Sequence, residues 1–69
     1  MIETTVISVA GLSSRQCANK IDSILAGSNG VDSAMTSLES HAVTVVFDVG
    51  RISREAIVRA ITDLGFEAH

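Results

Sequence analysis

The pattern of hydrophobic positions begins with a predicted strand from Ile2 to Val9, a segment rich in Val, Ile and Thr. Residues of these types favour a pleated strand, and its alternation places Thr5, Ile7 and Val9 on one side. Apolar residues then recur at helical spacing, which predicts a helix from about residue 14 to about residue 26. The residues on its apolar face are Cys17, Ile21, Ile24 and Leu25.

Local signals mark both ends of this predicted helix. Ser13 is followed three residues later by Gln16, a spacing typical of a capping box. Gly27 is a natural stop signal, and it begins a turn that extends to Gly30. The helix is therefore expected to start directly after an exposed loop.

The pattern of apolar and polar residues in the second half of the chain predicts a hairpin followed by a second helix. Its strands extend from Val31 to Leu38 and from Ala42 to Asp48, with three polar residues between them. Ser53 is placed to cap the helix, and Gly65 ends it. The apolar positions of this helix are Ile57, Ala60, Ile61 and Leu64.

A short last strand over residues 66–68 completes the order strand-helix-strand-strand-helix-strand. We therefore expect an α+β fold of ferredoxin-like βαββαβ topology, with an antiparallel four-stranded sheet and two helices on one face. A chain of 69 residues is too short for a second domain, so residues 1–69 are expected to form a single domain. This architecture hosts many unrelated functions, so the fold alone assigns none.

Composition and charge argue against several classes of partner. The chain has no Trp or Tyr on which bases could stack, and its net charge of −3 disfavours phosphate binding, so nucleic acid is not expected. No run approaches the ~20 apolar residues that a membrane helix needs. A single cysteine and the lack of a signal-peptide pattern favour a reducing compartment, and we expect a cytoplasmic location.

The chemically distinctive residue is Cys17, the only thiol in the chain, which falls in the opening turn of the first helix. The free amides of a helix start, with Arg15 and Lys20 nearby, favour its thiolate, which is the form that binds soft metals. Free cysteines are also often buried, and because Cys17 begins the apolar stripe of the helix, periodicity alone favours a packing role over a functional one. Ser14 is usually read as a polar loop residue.

No carboxylate pair, nucleophile triad or glycine-rich phosphate loop is present, so the chain is not expected to be an enzyme. Ser13 has no histidine near it in sequence and reads as a helix cap. His41 is expected to be solvated on a hairpin distant from the loop, and His69 is the terminal residue.

At these residues the sequence resembles the heavy-metal-associated domain, which occurs in small copper chaperones and in the amino-terminal domains of copper and other soft-metal transporting ATPases. The resemblance covers essentially the whole chain. The segments that carry it are Val9-Ala10-Gly11-Leu12-Ser13-Ser14-Arg15-Gln16-Cys17, Gly30-Val31, Val43-Thr44-Val45-Val46-Phe47-Asp48 and Ile61-Thr62-Asp63-Leu64-Gly65-Phe66.

The resemblance implies a metal site in which two loop cysteines hold copper(I), and this sequence departs from that pattern. The second family cysteine matches Cys17, but the first falls on Ser14, whose neutral hydroxyl is a poor ligand for a soft cation. Leu12 replaces the family's Met and should keep the loop anchored inward. Three explanations stay open: a natural variant that lost tight binding, a Cys17 pair shared by two chains, or an engineered replacement of cysteine by serine.

The resemblance implies cytoplasmic handling of a soft metal, most simply copper(I), by docking and ligand exchange with another heavy-metal-associated domain or a metal-transporting ATPase. Cys17 would carry the exchange, with Phe66 packed beneath the loop, and a metal-linked homodimer through Cys17 is a further option. One alternative is a metal-free interaction or regulatory domain, which Ser14 favours. A thiol-redox protein is a second alternative, but it would lack a resolving cysteine.

Overall fold

Six secondary-structure elements make up the computed structural model, which describes residues 1–68. In chain order they are β1 (Ile2–Ala10), α1 (Arg15–Ala26), β2 (Val31–Ser37), β3 (Ala42–Asp48), α2 (Arg54–Thr62) and β4 (Glu67–Ala68). The predicted order of elements is confirmed, and each predicted end coincides with the observed one or lies within three residues of it. The helices of residues 1–68 have 12 and 9 residues, and neither is long and apolar enough to span a bilayer.

The strands form one antiparallel sheet in the order β2-β3-β1-β4. The central pair is β1 with β3, in register from Ile2 opposite Asp48 to Ser8 opposite Ala42. Within residues 1–68, strand β4 pairs with the last two residues of β1, Val9 and Ala10. The end of β1 therefore lies beside both the start of β3 and the short strand β4.

The core lies between one face of the sheet and the two helices. Ile7, Val43 and Val45 of the sheet are fully buried and join one hydrophobic cluster with residues of α1 and α2. The opposite face of the sheet is open, with Val6 59% and Met35 73% exposed. Both helices therefore cover the same face, which confirms the ferredoxin-like α+β fold.

One position of the predicted apolar face of α1 was wrong. Ile24 is 43% exposed, whereas Ala18, Ile21 and Leu25 are buried and Cys17 is half-buried. Residues 18, 21 and 25 follow the three-then-four spacing that keeps side chains on one side of a helix, and residue 24 lies at the margin of that stripe. The stripe nevertheless turns Cys17 toward the core side of its helix.

The helix ends also correct one prediction. The N-cap residue of α1 is Ser14 rather than Ser13, and its side chain makes no capping hydrogen bond, so the predicted capping box with Gln16 does not form. Ser53 does cap α2, because its hydroxyl accepts a hydrogen bond from the amide of Ala56 at 3.1 Å. Helix α2 ends at Thr62, before the turn that brings Gly65 to φ +101°.

Candidate metal site

The loop between β1 and α1 is held at both of its ends. Gly11 adopts φ +91°, a conformation that suits glycine, and turns the chain away from the sheet. Leu12 follows and is only 5% exposed, so it anchors the loop in the core as the sequence predicted. Ser13 and Ser14 are then exposed ahead of the first helical residue, Arg15.

Cys17 lies in the first turn of α1 and is half-buried against the core cluster. The hydroxyl of Ser14 donates a hydrogen bond to its sulfur over a distance of 3.7 Å. The first turn of the helix closes beside it, since the amide of Ala18 donates to the carbonyl of Ser14 at 3.3 Å. The thiol is thus fixed by its own helix and remains accessible from the loop side.

The hydrogen bond from the Ser14 side chain lowers the pKa of the Cys17 thiol below its ordinary value. Partial burial opposes this by raising the pKa, and smaller hydrogen-bond contributions from Ser13 and from the Ser14 backbone lower it further. The net direction favours the thiolate, which agrees with the expectation from the helix start. A thiolate is the nucleophilic and metal-binding form of cysteine.

Apolar side chains from the segment that follows α2 lie beside the thiol. Leu64 and Phe66, both half-buried, line a shallow groove together with Cys17 and Lys20. Phe66 also borders the loop, because a Cβ atom at Gly11 would lie 3.6 Å from its ring. The loop and the thiol therefore share an aromatic neighbour, as the family resemblance implied.

Few metal donors surround this loop. Within residues 1–68 no group of three or more His, Cys, Asp and Glu side chains is arranged to hold a metal ion. Cys17 is the soft donor, and the oxygen of Ser14 is a hard one. The geometry thus offers one strong ligand for a soft cation, with a hydroxyl beside it.

The structure places His41 closer to this end of the molecule than the sequence predicted. The carbonyl of His41 accepts a hydrogen bond from the amide of Val9 at 2.8 Å, and the two residues border one groove with Gly11. The prediction of a distant hairpin was wrong because antiparallel pairing brings the end of β1 to the start of β3. His41 is exposed, as expected, whereas His69 lies outside the described residues.

The place of Lys20 near the thiol was expected from the sequence, whereas the contact between Ser14 and Cys17 and the place of Leu64 beside the thiol were not. Ser14 and Cys17 are three residues apart at a helix start, and this spacing was a usable signal for the contact between their side chains. The groove brings residues of α1 together with Leu64 and Phe66, which are distant from them in sequence. No spacing within a single helix or strand predicts such a contact. Arg15 and Lys20 are both exposed, and of the two Lys20 lines the groove with Cys17.

Comparisons with known proteins agree on one family. The family model of the heavy-metal-associated domain matches residues 6–67. The copper chaperone CopZ of Staphylococcus haemolyticus is 42% identical over 62 residues, which cover 90% of this chain and 91% of that protein. The human copper-transporting ATPase 2 is 35% identical over 65 residues, which cover 94% of this chain and only 4% of the ATPase.

Solved structures give the same result. A CopZ metallochaperone superposes with a TM-score of 0.93 at 28% identity, covering 97% of this chain and all of that one. A copper-binding domain from the P-type ATPase HMA7 superposes with a TM-score of 0.94 at 33% identity, covering 100% of this chain and 92% of that one. On sequence and structure together, this chain belongs to the heavy-metal-associated domain family.

Proposed function

We propose that this domain binds copper(I) through Cys17 and passes the ion to or from another heavy-metal-associated domain. The observation that carries the proposal is a half-buried thiol with a lowered pKa in the first helical turn of a fold whose relatives are named copper chaperones and copper-transporting ATPases. Copper(I) is the cargo in this account. Other soft cations would bind the same Cys17 thiolate.

Transfer would proceed by exchange of ligands at the exposed loop. A thiolate of the partner forms a bond to the ion while the bond from Cys17 breaks, so the ion is not released to water. The anchored loop keeps Cys17 in place during docking, because Leu12 is buried and Phe66 lies against Gly11. Leu64 and Phe66 would exclude water from one side of the thiol.

Ser14 stands at the position of the family's first cysteine in this proposal, and that position decides how tightly the ion is held. Its hydroxyl lies 3.7 Å from the sulfur of Cys17 and is a hard donor. The loop of one chain then supplies one soft ligand, Cys17, and the second comes from the partner. A second copy would supply its own Cys17 and form a metal-linked homodimer.

The charge around the loop favours a partner with an acidic docking face. Lys20 is exposed in the groove beside Cys17 and Arg15 is exposed as the first residue of α1, in a chain whose net charge is −3. A local basic patch on an acidic protein orients the encounter toward this end. We propose a cytoplasmic module of this kind without catalytic activity, acting either as a free chaperone or as a domain of a transporting ATPase.

A metal-free interaction or regulatory domain is the second candidate, and Ser14 is the observation that favours it. Such a protein would keep the fold and the docking end while its lone thiol held no ion. Its Cys17 would be a packing residue, consistent with the contact that Cys17 makes with the core cluster. The two functions differ in whether Cys17 binds copper(I) at all.

Titration with copper(I) under anaerobic reducing conditions distinguishes the two candidates. The protein should compete with a copper(I) chelator of moderate strength, and the Cys17→Ala variant should not. Ser28→Ala is a matched control, because Ser28 lies beyond the other end of α1 and bonds the carbonyl of Ile24. Equal, negligible copper uptake by the parent protein and Cys17→Ala would favour the metal-free domain.

A further inference from the structure

The groove beside Cys17 carries a cation and no anion. The residues that line it are Ser14, Gln16, Cys17, Lys20, Leu64 and Phe66, and its volume is about 290 Å³. Of these described lining residues, Lys20 alone is charged. Lys20 follows Cys17 by three positions in α1, and this spacing places the two side chains on one face of the helix. The thiol and the ammonium group therefore share one groove.

The carboxylates that are nearest in sequence are directed elsewhere. Asp22 accepts a hydrogen bond from the hydroxyl of Thr36 in β2 at 2.6 Å. Asp63 lines a separate groove along α2. Glu67 is exposed while the next residue of β4 is buried, so strand alternation directs Glu67 to the opposite face of the sheet. Within residues 1–68 no ion pair involves Lys20, and its charge is available to a ligand.

Apolar packing strengthens a charge interaction in this groove. Leu64 and Phe66 are half-buried against the core cluster and line the groove with Cys17. Apolar walls lower the local dielectric constant, and the interaction energy of two charges rises as that constant falls. Water leaves the groove when a partner docks over it. A negatively charged ligand near the thiol is therefore attracted to Lys20 more strongly in the docked complex than in the free domain.

We propose that Lys20 makes this groove selective for an anionic ligand, so that the second donor to copper(I) is a thiolate and not a neutral imidazole or thioether. The copper(I) ion and the Cys17 thiolate together carry no net charge. A second thiolate makes the shared site negative, whereas a neutral donor leaves it uncharged. Lys20 offsets the charge of the first arrangement alone. The choice of donor rests on the proposed copper function, while the selectivity for anions does not.

Arg15 lacks this role although it is also a cation on α1. It is the first residue of the helix and does not line the groove. Arg15 and Lys20 are both exposed, so each contributes to the long-range attraction of an acidic partner. Lys20 alone of the two is placed to act on a ligand at the sulfur. Arg15→Gln is therefore the matched control for Lys20→Gln, because both variants lose one positive charge.

Alkylation of the metal-free protein tests the selectivity without copper. Iodoacetate is an anion and iodoacetamide is neutral, and the Cys17 thiolate displaces iodide from both. The ratio of the two rates at one pH does not depend on the thiolate fraction, so any change in the pKa of the thiol cancels.

Lys20→Gln should lower the ratio of the iodoacetate rate to the iodoacetamide rate about 2- to 5-fold at low salt. Arg15→Gln should lower it by less than about 1.5-fold, since Arg15 lies outside the groove. Lys20→Arg should keep the parental ratio, and about 0.5 M salt should remove most of the difference between the parent and Lys20→Gln.

Sedimentation of the copper-linked dimer tests the choice of donor. With ascorbate as the reductant at low salt, Lys20→Gln should weaken this dimer about 5-fold or more, because each chain contributes one Lys20 to the shared site. Arg15→Gln should weaken it less. Added imidazole, a neutral donor, should separate the dimer of Lys20→Gln at a lower concentration than the dimer of the parent.

The possible results separate this inference from the proposed function. If the parent takes up no copper(I), the proposed function and the choice of donor fail together, and the alkylation ratio still decides whether Lys20 selects anions. An equal ratio in the parent and Lys20→Gln would overturn the selectivity even if copper(I) links two chains. A lowered ratio with a copper-linked dimer of unchanged stability would overturn the choice of a thiolate.

Discussion

The hydroxyl of Ser14 donates a hydrogen bond to the sulfur of Cys17 over 3.7 Å, and this single contact connects the sequence of the loop to its chemistry. The same contact is the largest cause of the lowered pKa of Cys17. It also accounts for the missing helix cap, since the Ser14 side chain is turned to sulfur instead of to the backbone. Ser14 therefore affects the reactivity of the thiol even though it is a poor metal ligand.

The pH dependence of thiol alkylation tests this effect. Ser14→Ala removes the main contribution that lowers the pKa, so the alkylation profile of Cys17 should move to higher pH and the rate at neutral pH should fall. Ser13→Ala is the matched control, and it should cause a smaller shift in the same direction because the Ser13 side chain contributes less. A profile for Ser14→Ala that coincides with that of the parent would show that the hydrogen bond does not matter.

Replacing Ser14 by cysteine should restore a two-thiolate site. Ser14→Cys should strengthen copper(I) binding about 100-fold or more, because the second thiolate acts within the same molecule. The free energy of unfolding should change by less than about 0.5 kcal/mol, since Ser14 is exposed and the two side chains are similar in size. Chelator competition measures the first quantity and urea unfolding the second.

Ser13→Cys is the control for position, because it adds a thiol one residue earlier in the same exposed loop. It should improve copper(I) binding much less than Ser14→Cys. If both variants bound copper(I) equally well, a second thiol anywhere in the loop would be enough for tight binding. Position 14 would then not be the specific position of the missing ligand.

Sequence patterns predicted the fold well because its determinants are local. Alternation along β3 placed Val43, Val45 and Phe47 in the core, and the Ser53 cap marked the start of α2. The position of His41 was missed because it depends on which strands pair, and that is a property of the whole sheet.

The candidate site was only partly predictable. Cys17 stood out as the sole thiol at a helix start, and Leu12 was expected to anchor the loop. The groove formed with Leu64 and Phe66 depends on packing between α1 and the end of α2, which no spacing along the chain reports. The roles of Cys17 and Ser14 as metal ligands stay predictions.

A glycine outside the site provides a test of the backbone. Gly30 has φ +101°, and a Cβ atom there would lie 2.9 Å from side-chain atoms of Arg51 and Ile52. Gly30→Ala should therefore destabilise the fold by about 2 kcal/mol or more in urea unfolding. Gly27→Ala is the control, because Gly27 has φ −85° and only ordinary contacts, and it should change stability by about 0.5 kcal/mol or less. Equal effects of the two substitutions would contradict the described turn.

The fold should not depend on metal. Fully buried Ile7, Ile21 and Ile61 supply a core without any ligand, so thermal unfolding should be cooperative and equal with and without chelator. Ile61→Ala should instead cost about 2–5 kcal/mol by leaving a cavity. A chain that stays disordered until metal is added would refute this prediction.

Sedimentation velocity with copper(I) in reducing buffer tests the central claim most directly, because the loop of one chain supplies one thiolate donor. At micromolar protein, copper(I) should convert monomer to dimer with about one ion per two chains, and chelator should reverse it. His41→Ala should leave this behaviour unchanged, whereas Cys17→Ala should abolish it. A monomer that retains one tightly held ion per chain would contradict the account.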